Sequence, residues 1–282
     1  MKKVTDSFVL SNGILIPCLG FGTWQSPPDE AASSVRHALL SGYRHIDTAA
    51  QYGNEPDVGR GIRESGVPRE EIFLTTKLWN DERGYETTLR AFERSLKNLE
   101  TDYIDLYLIH WPATPHRFEN WQELNLGTWR AFEKLYKEGR IRAIGISNFM
   151  PHHMKPLLDA CEIVPMVNQI EIHPGMLQPE TVKASQEQGM LIEAWSPLGT
   201  GRMLKNEILM QIASKYNVST AQLCLRYALQ HGYLPLAKSV TPSRIDENMK
   251  IFDFEISAED MAFIDAMPYF GGSGFDPDKV DF

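Results

Sequence analysis

Three consecutive apolar segments of this chain end on a side chain that can hold or move a proton. His45–Asp47 ends in Asp47, with Tyr52 five residues later. Ile72–Lys77 ends in Lys77, and Ile104–His110 ends in His110. Each has an ordinary reading by itself. An aspartate at a strand end caps a loop, a tyrosine packs, a lysine sits solvated on a rim, and a histidine is satisfied in a core. Four such residues at matching ends of three successive segments point to a shared site. Two chemistries could use them. In one, Lys77 is the nucleophile of a Schiff-base lyase, its pKa lowered by burial. In the other, the group reduces a carbonyl. Hydride arriving at carbon leaves negative charge on oxygen, which then needs a proton donor and a polar pocket. A tyrosine hydroxyl can donate, although its free pKa is ~10. A nearby lysine cation stabilises the phenolate and lowers that value. A carboxylate keeps the lysine charged and oriented, and a histidine N–H can hold the substrate oxygen.

The elements that must position these residues follow from the hydrophobic pattern. Phe8–Leu10 and Ile14–Ile16, separated by Ser11-Asn12-Gly13, read as a hairpin with an Asn-Gly turn. Eight short apolar runs follow: Leu19–Phe21, His45–Asp47, Ile72–Lys77, Ile104–His110, Ala143–Ser147, Met166–Ile170, Leu191–Trp195 and Leu234–Ala237. Pro235 makes the last the weakest strand candidate. Helical spacing separates the runs, as in Leu89, Phe92, Leu96 and Leu99, or Trp129, Phe132, Leu135 and Tyr136. Continuous apolar strands alternating with helices mean a parallel sheet covered by helices. Eight such units favour a closed α/β barrel of the (β/α)8 type with an N-terminal β-hairpin, spanning residues 1–282 as a single domain. An open dinucleotide-binding sheet would carry a third glycine after Gly20-Phe21-Gly22; Gln25 stands where that fingerprint needs it. In a barrel the strand C-termini carry the active site, which is where Asp47, Lys77 and His110 fall.

Composition narrows the function classes. The 282 residues carry a formal net charge of −9 and no basic run, so nucleic acid is not an expected partner. No apolar run approaches the ~20 residues of a membrane span, and Asp6 and Ser7 interrupt the N-terminus before any signal-peptide core develops. Cys18, Cys161 and Cys224 are far apart and read as buried small hydrophobes in a reducing compartment. The cytoplasm and a monomeric state are expected. No metal site is expected: His152-His153 lies near a helix start with no partner at ligand spacing.

These motifs together resemble the aldo-keto reductase family. The resemblance is carried by Gly42–Glu55 (GYRHIDTAAQYGNE), Thr75–Trp79 (TTKLW), Leu106–Pro112 (LYLIHWP), Gly145–Phe149 (GISNF), Asn168–Glu171 (NQIE) and Lys238–Asn248 (KSVTPSRIDEN). It spans essentially the whole chain in the family's order. It implies reversible NADPH-dependent reduction of aldehydes and ketones, with NADPH extended across the barrel mouth and Tyr52 as general acid beside Asp47, Lys77 and His110. Ser147, Asn148 and Gln169 would hold the nicotinamide amide. Trp195 stands where many members have a stacking tyrosine, and Ser196, Pro197, Leu198 and Gly199 would line the pyrophosphate. Gly22, Thr23, Trp24 and Asp47 complete that end of the cofactor site. Trp24, Trp79 and Trp111, with Tyr52 and His110, would form the substrate wall. Lys238, Ser239, Val240, Thr241, Arg244, Glu247 and Asn248 would surround the 2′-phosphate. The residues support that last reading independently. Lys238 and Arg244 bracket the segment, and Thr241 can cap a helix starting at Pro242, whose N-terminus favours an anion. A non-catalytic nicotinamide-binding regulatory subunit on the same fold is the competing reading. The brief glycine-rich tail, Gly271–Pro277, leaves substrate choice open.

Overall fold

The computed structural model describes residues 1–282. An antiparallel ribbon of β1 (Ser7–Val9) and β2 (Leu15–Pro17) comes first. Eight parallel strands then close into a barrel: β3 (Gly20–Gly22), β4 (His45–Asp47), β5 (Phe73–Leu78), β6 (Ile104–Ile109), β7 (Ile141–Ser147), β8 (Val167–Glu171), β9 (Leu191–Trp195) and β10 (Leu234–Ala237). Order around the barrel follows order in the chain, and β10 returns to β3 with Leu236 opposite Gly20 and Ala237 opposite Phe21. All eight expected strands are present. β10 tolerates Pro235 because it spans only four residues and pairs with each neighbour over two.

Parallel neighbours need crossovers, and the segments of helical spacing supply them. They are α1 (Pro28–Ser41), α2 (Glu55–Ser65), α3 (Tyr85–Leu99), α4 (Trp121–Lys137), α5 (Pro151–Leu158), α6 (Pro179–Glu187), α7 (Glu207–Lys215), α8 (Thr220–Gln230), α9 (Pro242–Asn248) and α10 (Ala258–Asp265). The apolar stripes of α3 and α4 meet the outer face of β6. Tyr107 stacks on Phe132 at 4.5 Å and meets the edge of Phe92 at 5.3 Å. Each such buried ring contributes about 1.5–3 kcal/mol. Gly145 lets β7 lie between its neighbours, since a Cβ there would sit 2.7 Å from both a Leu108 methyl and the Val167 carbonyl.

The hairpin caps the far end of the barrel from the reactive strand ends, where Asn12 Nδ2 donates to the carbonyl of Arg142 at 3.0 Å. Its turn differs from an Asn-Gly centre. Gly13 N–H donates to Leu10 O at 2.8 Å, so Ser11 and Asn12 occupy the central positions. Gly13 follows them with φ of 84°. A loop one residue longer requires its left-handed glycine third, which releases the Asn12 side chain for the barrel. At the reactive end, the C-terminal tail crosses the mouth. Glu171 accepts from Ser273 N at 2.8 Å, and Asn80 Nδ2 donates to Phe282 O at 2.9 Å.

Candidate active site

Parallel register places Asp47 and Lys77 on adjacent strand ends, with Tyr52 on the turn after β4. Lys77 is fully buried. Its Nζ donates to Asp47 Oδ1 at 2.7 Å, Thr48 O at 2.9 Å and Tyr52 Oη at 3.3 Å. Three ammonium hydrogens thus meet three acceptors. Burial alone would lower the Lys77 pKa, but the Asp47 and Tyr52 oxygens outweigh it and hold the amine above its ordinary range. A charged, saturated ammonium has no lone pair for a Schiff base, so the lyase reading is set aside. Burial raises the Tyr52 pKa, and Lys77 opposes that rise without cancelling it. The expected net lowering is therefore corrected: in the protein by itself the phenol lies above its usual value and is a proton donor at neutral pH. Burial, then Lys77, pushes His110 far below the ordinary histidine range. His110 is a neutral ring that can hold an oxygen, not a cationic acid.

Asp47, Tyr52 and His110 open onto a cavity of about 620 Å³, with Lys77 buried behind them. Trp24, Trp79 and Trp111 line it as expected, together with Phe275 and Phe282 from the tail. Phe282 stacks on Trp79 at 5.5 Å and meets the edge of Trp111 at 5.4 Å. Sequence reasoning missed both phenylalanines. Their only signal is two aromatic side chains in an otherwise polar, glycine-rich tail.

One side of the cavity fits a nicotinamide. Ser147 Oγ donates to Gln169 O at 2.7 Å, and Asn148 Nδ2 donates to His110 O at 2.9 Å. Asn148 Oδ1 accepts from Trp195 Nε1 at 2.9 Å, which fixes the indole. Trp24 and Trp111 flank that ring edge-on, each at 6.4 Å. Asn148 holds a left-handed φ of 63°, a strained conformation of the kind that collects at functional sites. Its amide is thus largely committed to the protein. Gln169 uses only Nε2 internally, donating to Asp47 and Glu193, which leaves Oε1 to the cavity it lines. A free amide oxygen beside a fixed aromatic face suits a carboxamide-bearing ring.

The remaining expected cofactor residues divide. Gly22, Trp24, Ser196, Pro197, Leu198 and Lys238 line the cavity, whereas Gly199 is buried behind it. Ser196 and Thr200 take φ of 50° and 53°, and Ser196 Oγ accepts from Thr200 N at 2.8 Å, shaping a tight loop. Thr23 is fully buried and donates through Oγ1 to Asp47 O at 3.1 Å, so its side chain orders the strand end and is not among the cavity-lining groups. Ser239, Val240, Thr241, Arg244, Glu247 and Asn248 lie beyond the cavity wall, on α9 and the turn before it. Thr241 makes no side-chain cap; Ser239 Oγ accepts the Thr241 N–H at 3.1 Å and closes the turn before the helix. The Arg244 side chain is exposed and makes no hydrogen bond or ion pair within the protein.

His152-His153 does acquire a partner, contrary to expectation. Asp278 Oδ1 lies 2.9 Å from Nε2 of each ring. A separation of 126 residues hid it from sequence reading. His153 Nδ1 accepts from Met150 N at 3.2 Å, so the neutral ring carries its proton on Nε2, facing Asp278. That contact is close but poorly aligned as a hydrogen bond. The ligand atoms of His152, His153 and Asp278 lie within 4.8 Å of one another, a grouping that could hold a metal ion, and the trio ties the tail to α5.

The sequence profile of the Aldo/keto reductase family matches residues 18–268. Glyoxal reductase of Bacillus subtilis (strain 168) is 52% identical over 281 residues, covering 99% of each chain. The structure is similar to an aldo/keto reductase from Brucella melitensis, with TM-score 0.88, 47% identity, and 94% and 98% of the two chains covered. It is also similar to a mutant of Gox0644 in complex with NADPH, with TM-score 0.92, 41% identity, and 99% and 100% covered.

Proposed function

Because the chain belongs to the aldo/keto reductase family and is an NADP-dependent carbonyl reductase, we propose that Tyr52 is its proton donor. Lys77 and Asp47 poise that donor, and His110 holds the carbonyl oxygen. The observation carrying this reading is the saturated Lys77 ammonium, 2.7 Å from Asp47 and 3.3 Å from the Tyr52 hydroxyl. Bound NADPH supplies a hydride to the carbonyl carbon. As charge develops on the oxygen, Tyr52 delivers its proton, and the Lys77 cation stabilises the phenolate left behind. Asp47 keeps that cation in place. In the reverse direction the phenolate takes the alcohol proton.

The Gln169 oxygen, backed by Ser147 and Asn148, would accept from the nicotinamide carboxamide, with Trp195 against the ring. The 196–199 loop and Gly22 would follow the pyrophosphate, and Lys238, Arg244 and the start of α9 the adenosine phosphate. Trp24, Trp79, Trp111, Phe275 and Phe282 suit small carbonyls with an apolar flank. The name of the Bacillus subtilis relative adds small dicarbonyls such as glyoxal to the candidates. Three free cysteines, in a chain with no helix long and apolar enough to cross a membrane, support the cytoplasm. The test is NADPH absorbance with a panel of small aldehydes, dicarbonyls and bulky ketones. Turnover favouring the small compounds is expected. No oxidation of NADPH with any aldehyde would overturn the reading.

A further inference from the structure

Below the proton-handling group, the barrel interior holds a second carboxyl with no counter-ion of its own. Glu193 on β9 is fully buried and lies opposite Gln169 on β8 and Leu234 on β10. Its Oε1 has no hydrogen-bond partner, and neither has Nδ1 of the nearby His45 on β4. His45 Nε2 stands 3.9 Å from Glu193 Oε1, but 2.9 Å from Thr75 Oγ1 on β5. Buried polar atoms left unpaired are costly and call for a reason.

The other carboxyl oxygen, Oε2, is committed to the Gln169 amide. Its Nε2 donates to Asp47 Oδ2 at 3.0 Å and to Glu193 Oε2 at 2.7 Å. Both amide hydrogens are therefore spent on carboxyl oxygens, and Oε1 is the end offered to the cavity. A flipped amide would set its own oxygen against both. We propose that Glu193 is a positioning residue of the reductase: with Asp47 it clamps Gln169 so that the amide oxygen faces the nicotinamide carboxamide, and its charge acts through Asp47 and Lys77 on Tyr52. The inference rests on the roles given to Gln169 and Tyr52 above.

The charges around Glu193 give the second half its sign. Burial, then the Asp47 charge, pushes the Glu193 carboxyl up to about 8. Burial, then Lys77, pushes His45 down to about 3, so His45 is no cation at neutral pH. Lys77 on β5 is the one positive group facing this set. Glu193 is thus largely protonated near neutrality and anionic in alkaline solution. As an anion it adds negative potential at Lys77, which then stabilises the Tyr52 phenolate less. Glu193 thereby keeps Tyr52 an acid as the pH rises.

Two variants separate clamp from charge. E193Q keeps a carbonyl to accept from Gln169 but cannot ionise, whereas E193M removes both. Ultraviolet titration of Tyr52 in the cofactor-free protein, by difference against Y52F in each background, should place the phenol lower in E193Q by about half a pH unit or more. NADPH affinity, read by quenching of tryptophan fluorescence, should stay within about twofold in E193Q and fall roughly five- to tenfold in E193M. An unchanged Tyr52 titration in E193Q overturns the proposal, as does full NADPH affinity in a folded E193M. If E193M does not fold by circular dichroism, the E193Q titration alone decides. Failure of the underlying reading looks different: NADPH turnover would survive loss of the Tyr52 hydroxyl.

Discussion

At the residue scale, position and charge at Lys77 can be pulled apart. Lys77→Met leaves Asp47 buried without its cation, which costs about 3–5 kcal/mol when one member of such a pair is removed. It also strips the phenolate of its stabiliser, so turnover should fall ~10²–10⁴-fold. Adding Asp47→Asn should recover much of the stability in a urea melt and none of the turnover. Recovery of turnover in the double variant would show that Lys77 is structural. Glu193 makes the pH dependence of stability asymmetric. Its folded pKa of about 8 lies above the ordinary value of 4.5, so the folded state holds this proton more tightly. The stabilisation that results is complete below about pH 4.5 and is lost as pH rises towards 8. E193Q should therefore gain on the parent in unfolding free energy between those limits, on the order of a few kcal/mol by the alkaline end, with no further pH-dependent gain above. A lead independent of pH would mean that Glu193 does not titrate there. Asp47, Lys77 and His110 were legible as strand endings, and Tyr52 as the residue on the turn after the first of them. Glu193 was not, because an acid in mid-strand carries no local mark of which interior groups surround it.

At the element scale, we propose that α9 and the turn before it carry the cofactor preference. The expected Thr241 cap is absent, so the guanidinium of Arg244 and the amine of Lys238 are the cations left for a 2′-phosphate. Lys238 is also partly committed, donating to Gln25 O at 3.1 Å. A hydrogen bond to a charged group contributes roughly 1.5–3 kcal/mol. Arg244→Ala should accordingly weaken NADPH binding about ten- to hundredfold and leave NADH almost unchanged. Equal losses for both cofactors would remove Arg244 from phosphate recognition. The strands were legible because parallel strands under helices are apolar on both faces, and even Pro235 did not disrupt the count. Turn chemistry was less so: the Asn12-Gly13 pair and Thr241 each had two plausible uses, and hydrogen bonds to distant or neighbouring groups selected the other one.

At the scale of the whole molecule, the barrel was readable from the count and order of its units, while the tail was not. Its placement depends on Asp278 meeting His152 and His153, Ser273 meeting Glu171, and Phe282 meeting Trp79, all remote in sequence. Because the hairpin, barrel and tail share one closed sheet as support, residues 1–282 are expected to unfold in a single transition with coincident fluorescence and circular dichroism curves; two separated transitions would divide the chain. The barrel forms through burial and pairing that do not involve the Tyr52 hydroxyl beyond its one contact with Lys77. The most direct test of the chemistry is therefore Tyr52→Phe, assayed by NADPH absorbance with a small aldehyde and by NADPH titration. A loss of ~10²–10⁴ in kcat with nearly unchanged NADPH affinity is expected; full activity in that variant would contradict Tyr52 as the proton donor.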